Sequence, residues 1–312
     1  MPEDPITTPT GHGRALVRGA YDLHVHVGPD VVGRIVDDVT LARRCAVHGL
    51  AGFGLKSHYT ATAERARTVN ATAPEGVRAI GAIALNAAVG GLNPLAVEIA
   101  AREGARIVWL PTVDAVNERG ARERAYAPGV HVPMWVAIQQ ELREAGMETP
   151  PVPVLNGGGT PTAALLSVLE VVAKHQLILA TGHLDRDEIF AVVRAARAAG
   201  VRDVVVTHPE FPSQDLSIPD QVALAGEGAI LERCFTTPFT GKCTWAHVAA
   251  GIRATDPTNN LLSTDLGQPK NPPVEDGLAL FADRLLEHGI TDEEIQTMTV
   301  HQSRRLADGG AR

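Results

Sequence analysis

Two histidines one residue apart, His24 and His26, stand in the apolar run Asp22-Leu23-His24-Val25-His26-Val27. Side chains alternate along a strand with a period of two, so both imidazoles face the same side. Two neutral imidazoles side by side can chelate one divalent metal. Three more residues of ligand type close later apolar runs: His183 in Leu-Ala-Thr-Gly-His, His208 in Val-Val-Thr-His-Pro and Asp265 in Leu-Ser-Thr-Asp-Leu-Gly. In a parallel barrel, the end of each strand is where the active site lies. Histidine nitrogen and carboxylate oxygen suit zinc and similar ions. Such an ion lowers the pKa of its bound water from 15.7 to about 7, which makes hydroxide available near neutrality. A carboxylate beside that water can take its proton and pass it to a leaving group.

These positions need strands to hold them. Short apolar runs at 21–26, 51–56, 79–85, 106–110, 177–182, 202–207, 229–233 and 260–264 read as strands. Amphipathic stretches lie between most of them, at 38–48, 61–72, 93–103, 161–175, 186–199, 219–226 and 244–254. Gly49, Gly104 and Gly200 stand where helix C-terminal caps belong. Strand-helix alternation means a parallel sheet. Eight such strands predict an α/β fold, a (β/α)8 barrel of TIM type, as a single domain over residues 20–312. No Gly-rich phosphate loop follows the first strand, which weighs against a dinucleotide fold.

Residues 1–19, polar and rich in Pro and Gly, read as a flexible leader. Residues 113–159 break the rhythm between the fourth and fifth strands. A loop after a barrel strand lies over the active site, so this insertion is expected to be a lid or substrate-shaping segment. It has a helical piece near 135–145 and room for a small hairpin. His131, inside it, is the one other histidine with a claim on the site. The competing reading is a decorative insertion or an oligomer contact.

The whole chain narrows the partners. Its 312 residues, 45% of them hydrophobic, can bury a large core. A net charge of -8 with no basic stripe argues against a nucleic-acid partner. Cys45, Cys234 and Cys243 stand at unrelated spacings, so they form neither a disulfide framework nor a zinc knuckle. The start Met1-Pro2-Glu3-Asp4-Pro5 lacks a secretory apolar region, and no run of about 18 apolar residues follows. The expected setting is the cytoplasm, with a small-molecule substrate, no membrane, and a homo-oligomer left open.

His-x-His on the first strand, His on the fifth and sixth and Asp on the eighth together resemble the amidohydrolase superfamily of metal-dependent (β/α)8 barrels. The resemblance covers roughly residues 20–306. It extends loosely to the tail Met298–Leu306, which stands where such enzymes carry an Asn-Pro-Ala-x-x-Leu-like segment. Lys56-Ser-His-Tyr, Leu85–Pro94, Trp109–Asp114, Thr181–Leu184 and Ser263–Gly267 are more closely similar to an uncharacterised branch of the superfamily. The resemblance implies that His24, His26 and His183 ligate the metal, and that His208 either ligates it or polarises the substrate carbonyl. It gives Asp265 a double role as metal neighbour and general base.

One departure stands out. Many members of the superfamily bridge two metals with a Lys or Glu at the end of the fourth strand. Here that strand ends Ile107-Val-Trp-Leu-Pro-Thr112, with neither. This favours one divalent metal per chain, zinc first, and leaves two possible. Lys56 and His58 share a face at the end of the second strand. Lys is scarce, with 4 in the chain against 24 Arg, and a buried ammonium is costly unless paired, neutral or modified. Lys56 could pair with Glu232, carry a carbamate or bind an anionic substrate group; it could equally snorkel to solvent. Candidate substrate contacts at the strand ends are His58, Asn86, Thr112 and Glu232, although Asn86 and Thr112 could instead cap turns. Glu232 and Arg233 are adjacent, so only one of them can face inward.

The leading expectation is a hydrolase that uses metal-bound hydroxide on a small-molecule amide, cyclic amide, lactone or ester. A metal-dependent decarboxylase or other lyase of the same superfamily is second, and a phosphoester hydrolase third. A barrel that binds without catalysing is the remaining class. Specificity lies in loop side chains, so the sequence does not name a substrate.

Overall fold

The computed structural model describes residues 8–118, 133–147 and 150–309. Eight strands follow one another in sequence order: β1 (Tyr21–Val25), β2 (Gly52–Leu55), β3 (Arg78–Ala84), β4 (Ala105–Trp109), β5 (Ile178–Ala180), β6 (Asp203–Thr207), β7 (Ile230–Cys234) and β8 (Asn260–Ser263). Every neighbouring pair is parallel. The ring closes just past β8, where Asp265 N donates to His24 O at 2.8 Å and His26 N to Leu266 O at 2.7 Å. Two residues of ligand type, His24 on β1 and His26 just beyond it, therefore also take part in the closure. The fold is the expected (β/α)8 barrel.

The helices are α1 (Gly11–Leu16), α2 (Asp38–His48), α3 (Ala63–Asn70), α4 (Pro94–Arg102), α5 (Met134–Glu144), α6 (Ala163–Lys174), α7 (Arg186–Ala198), α8 (Ile218–Gly226), α9 (Thr236–Phe239), α10 (Trp245–Thr255), α11 (Val274–Glu287), α12 (Asp292–Gln296) and α13 (Gln302–Asp308). Local signals set their ends. Asp37 caps α2, whose last turn stops at left-handed Gly49, and Asp185 with Glu188 forms a capping box on α7. The barrel interior is filled by Leu23, Ile80, Ile107, Trp109, Ile178 and Ile230, among others, and Leu306 of α13 joins them. Two larger apolar layers separate the strands from the surrounding helices. No helix among the described residues is long and apolar enough to cross a membrane.

The segment expected as a flexible leader departs from that reading over residues 8–19. Thr10 caps α1 through Gly13 N at 3.0 Å and binds Asp283 of α11 through both its backbone N and its hydroxyl. Leu16 and Val17 are buried in the outer apolar layer. A Pro/Gly-rich composition hid this, because Gly13 is what lets α1 approach α11: a Cβ there would lie 2.4 Å from Asp283 Oδ1. In the insertion, the helical piece is α5, and Leu155 bridges Pro161 antiparallel. His131 lies outside the described residues.

Candidate metal centre and pocket

β1 does not keep strict alternation. Its pairing with β2 slips by one residue between Asp22 and Val25, a bulge that turns side chains out of their regular order. Leu23 packs in the interior, and His24 beside it also points inward, over Trp109 at 5.5 Å between ring centroids. His24 and His26 do converge as the spacing predicts. His24 Nε2 is 3.2 Å and His26 Nε2 3.1 Å from a single oxygen, Oδ1 of Asp265. At zinc–ligand distances of 2.0–2.1 Å, neighbouring ligands of a tetrahedral ion stand about 3.3 Å apart. The donor set therefore fits such an ion in both chemistry and spacing.

Both nitrogens of His24 are engaged. Nδ1 faces Glu232 Oε2 at 3.3 Å, while Nε2 faces Asp265 Oδ1 at 3.2 Å and Lys56 Nζ at 2.8 Å; with the proton on Nδ1, Nε2 would be free to ligate an ion beside Asp265. A carboxylate behind a metal-binding histidine in this way fixes ring orientation and raises basicity. Glu232 thus faces inward from β7 beneath His24; it does not line the cavity, and the expectation of a direct substrate contact is corrected. Arg233 points outward, where it binds Glu210, Asn260 and Gln221. Cys234 Sγ lies 3.7 Å from the same His24 nitrogen, and burial raises its thiol well above the ordinary range.

His183 and His208 approach from β5 and β6, with ring centroids 5.1 Å apart. Left-handed Gly182 lets β5 end against the carbonyls of Leu110 and Pro111; any Cβ there would lie within 2.5 Å of them. His183 Nδ1 stands 3.1 Å from Glu118 Oε1, the same carboxylate–imidazole arrangement as at His24. His208 and Asp265 both hold positive φ, at 29° and 55°. Non-glycine residues persist in that region only where their surroundings over-determine it, often at functional sites. Both His208 Nδ1 and His26 Nδ1 are buried without a hydrogen-bond partner among the described residues.

At His24, burial and then Lys56 work to lower the pKa, but Asp265 and Glu232 raise it above the ordinary value. Burial keeps the other imidazoles of the cluster neutral, the form that ligates. It pushes His26 down to about 3 and, with Lys56 and then His26 adding to it, His58 well below its ordinary value. His208 is lowered likewise by burial and then His183. Burial works to raise the Asp265 carboxyl, yet adjacent His24 and His26 hold it well below the usual carboxylate range. Thr236 donates to its second oxygen, Oδ2, at 3.1 Å.

Lys56 faces the interior, with Nζ 2.8 Å from His24 Nε2 and 5.3 Å from the centre of the Trp109 ring. Burial lowers its pKa against the pull of Asp265 and Glu232. His58, in register with it, stacks on His26 at 5.0 Å. Asn86 and Thr112, expected as substrate contacts, are wholly buried behind His58 and do not reach the cavity. They set its tautomer instead. Asn86 Oδ1 accepts from Thr112 N at 2.8 Å and Asp114 N at 3.2 Å, so Asn86 Nδ2 donates to Thr112 Oγ1 at 2.6 Å. The Thr112 hydroxyl then gives its hydrogen to His58 Nδ1, 2.8 Å away, and His58 presents an Nε2–H to the cavity. It is a donor there rather than a metal ligand.

The cavity over these groups has a volume of about 270 Å³. Pro133, Met134 and Trp135, at the start of α5, form part of its wall. The insertion is tied to the rim by Gln139 Nε2, which donates to Asp114 Oδ1 at 2.9 Å, and by Asn117 Nδ2, which donates to Ser213 O at 2.5 Å.

The profile of a family of unknown function (DUF6282) matches residues 19–232. The chain belongs to that family. The match runs from β1 into β7 and takes in His24, His26, Lys56, His183, His208 and Glu232, while Asp265 on the β8 side lies beyond it. No curated protein matches the chain. Solved structures with a similar fold include a candidate 2-pyrone-4,6-dicarboxylic acid hydrolase from Pseudomonas putida (15% identity, 94% of this chain and 99% of that one, TM-score 0.58). An amidohydrolase from Pseudomonas aeruginosa is similar at 11% identity, covering 96% and 99%, with a TM-score of 0.59. A metallo peptidase from Rhodobacter sphaeroides, liganded with a phosphinate mimic of the dipeptide L-Ala-D-Ala, follows at 13%, 94% and 99%, and 0.57. At these identities the likeness establishes the barrel, which is the fold the amidohydrolase resemblance implies. Within this family member, sequence reasoning missed Glu118, Thr236 and Lys242. Only Lys242 left a signal, the scarcity of lysine; Glu118 and Thr236 meet their partners across the fold.

Proposed function

We propose that the chain is a metal-dependent hydrolase of the amidohydrolase type, acting on a C–N or C–O bond of a small molecule. Amides, cyclic amides, lactones and esters are the classes that its site suits. The observation that carries this reading is the pair of imidazole Nε2 atoms set 3.1 and 3.2 Å from one carboxylate oxygen at the C-terminal mouth of a barrel. His24, His26 and Asp265 would hold the ion, with His183 and His208 beside them; nitrogen and carboxylate donors make zinc the first choice. When bound, the ion supplies a water acidified to near neutrality and a Lewis acid for the scissile group.

The chain's own residues do the rest. Asp265, ionised and steadied by Thr236, takes the proton of the attacking water and delivers it to the leaving nitrogen or oxygen. His58 offers Nε2–H to the carbonyl oxygen, whose charge grows as the bond is attacked. Glu232 and Glu118 hold His24 and His183 in the tautomer that leaves Nε2 toward the cavity. The α5 wall limits access of bulk water.

The test is a hydrolysis screen of the full-length zinc-loaded chain against lactones, cyclic amides, linear amides and esters. Turnover of one class, abolished by a chelator and restored by zinc, is the expected outcome. Carbon dioxide release without hydrolysis would move the assignment to a lyase. Activity indifferent to chelation would refute the role of a metal.

A further inference from the structure

The charges around the cavity do not balance. Three of the four lysines of the chain, Lys56, Lys242 and Lys270, line it together with Arg34, whereas among the described residues the only carboxylate in its wall is Asp265. This occurs in a chain of net charge -8. Several of these charges are already answered. Arg34 is paired with Asp30 at 2.6 Å, and both are buried. Asp265 is engaged by His24 and His26, and Lys56 lies below, against His24.

Lys242 and Lys270 remain. Lys242 is half-buried, and its ammonium donates to Thr240 Oγ1 at 2.6 Å and stands 5.4 Å from the centre of the Phe211 ring. Among the described residues no carboxylate forms an ion pair with it or with Lys270, which is exposed on the loop after β8. An ammonium withdrawn from water onto an aromatic ring is unfavourable unless something compensates it. Partial burial lowers its pKa to about 8, so it is still mostly charged at neutrality.

The position of Lys242 is tied to the reaction centre from two sides. Phe211, under its ammonium, also contacts His208 at 4.8 Å between centroids. Thr236, six residues earlier on the same short segment after β7, holds Asp265. The remaining wall around this segment is flat and apolar, with Phe211, Trp135 and Tyr59. At about 270 Å³ the cavity falls just below the range of drug-sized pockets, roughly 300–1,000 Å³.

We propose that the substrate is a small organic carboxylate, its carboxylate held at the cavity mouth by Lys242 and Lys270 while its scissile bond lies over Asp265. The second half of that statement rests on the hydrolase reading above; the first half does not. Phosphate sites are commonly built from backbone N–H groups at a helix start. Here the recognition groups are two point charges and an aromatic wall, which suit a carboxylate on a planar or apolar body.

The test separates anion recognition from catalysis by using metal-free, full-length protein, in which a carboxylate has no ion to ligate. Calorimetric titration compares benzoate, benzamide and inorganic phosphate. Benzoate is expected to bind at least about tenfold more tightly than benzamide, the scale of one charge-assisted hydrogen bond. Lys242→Met should remove most of that preference and leave benzamide unchanged, and Lys242→Arg should retain part of it. Lys270→Met, at an exposed loop site where a substitution should leave the fold intact, should weaken benzoate by a smaller factor, which keeps the proposal testable should Lys242→Met fold poorly. Equal affinity for benzoate and benzamide, no benzoate binding, tighter binding of phosphate than of benzoate, or unchanged benzoate affinity in a folded Lys242→Met would each overturn it. None of these results depends on whether the loaded protein hydrolyses anything.

Discussion

Adjacent residues on β7 lead into two buried polar clusters that are built on opposite rules. Arg233, outside the barrel, is completely buried, and each of its three nitrogens has a partner: Glu210 and Gln221 bind Nη1, Asn260 accepts from Nε at 2.8 Å, and Thr255 lies at 3.2 Å from Nη2. Glu232, inside, leads to His24 and the other imidazoles, among which His26 Nδ1 and His208 Nδ1 have no hydrogen-bond partner among the described residues. Native interiors leave few buried polar atoms unsatisfied, and each exception calls for a reason. Arg233 has the marks of a structural unit, which joins β7 to the helical layer. The imidazole cluster has those of a site waiting on something else, with strained backbone at His208 and Asp265 and a cavity above it.

The largest effect should separate the clusters by stability. Arg233→Met leaves Glu210 buried without its cation and should cost about 3–5 kcal/mol in denaturant unfolding. The remaining folded fraction should keep its catalytic rate. A loss under 1 kcal/mol would show that the outer cluster is not structural in the sense argued.

Asp265→Asn should reverse that pattern, with a rate loss of about 10²–10⁴ and little change in unfolding. Asn preserves the shape and the bond from Thr236 but does not take a proton from water. Near-full turnover in this variant would place the base elsewhere. A smaller effect is expected at Glu232→Gln, which weakens the hold on His24 without touching the cavity. Metal affinity should fall about 10–100-fold, by equilibrium dialysis, with the protein still folded.

Much of this arrangement was legible before any coordinates. All eight strands fall at the expected runs, and His24, His26, His183, His208 and Asp265 stand at or just beyond strand ends, because strand termini and ligand types are local properties. What was not legible depends on contacts between distant segments. Asn86 and Thr112 end strands, as substrate-binding residues do, but only their mutual hydrogen bonds show that they serve His58 from behind. The choice between Glu232 and Arg233 is a matter of parity, which one residue of slip can invert, as the β1 bulge illustrates. Glu118 belongs to an insertion with no strand pattern to mark its direction. Helix α1 escaped notice because Gly13, a poor helix former by itself, is required there by the approach of α11.

The smallest of the expected effects concerns acid. His26 is held neutral by burial, down to about 3, whereas the unfolded chain accepts a proton at that residue below 6.5. The folded state therefore binds fewer protons through this window, and stability is lost as pH falls from 6.5 toward 3. His26→Asn in the metal-free protein should be relieved of that loss, by at most about 1.4 kcal/mol per pH unit. Parallel stability curves for the two proteins between pH 6.5 and pH 4.5 would indicate that His26 is protonated in the fold.

The most direct measurement is elemental analysis of the full-length chain purified without chelators, alongside the His24→Ala/His26→Ala double variant. The arrangement of two imidazoles and one carboxylate predicts about one equivalent of divalent metal, zinc first, in the native chain. The double variant should lose most of it while its circular dichroism and unfolding midpoint in the metal-free state stay close to those of the native protein. A native chain that takes up no metal when zinc is supplied, or a double variant that retains the full equivalent, would contradict the assignment of this cluster as a metal centre.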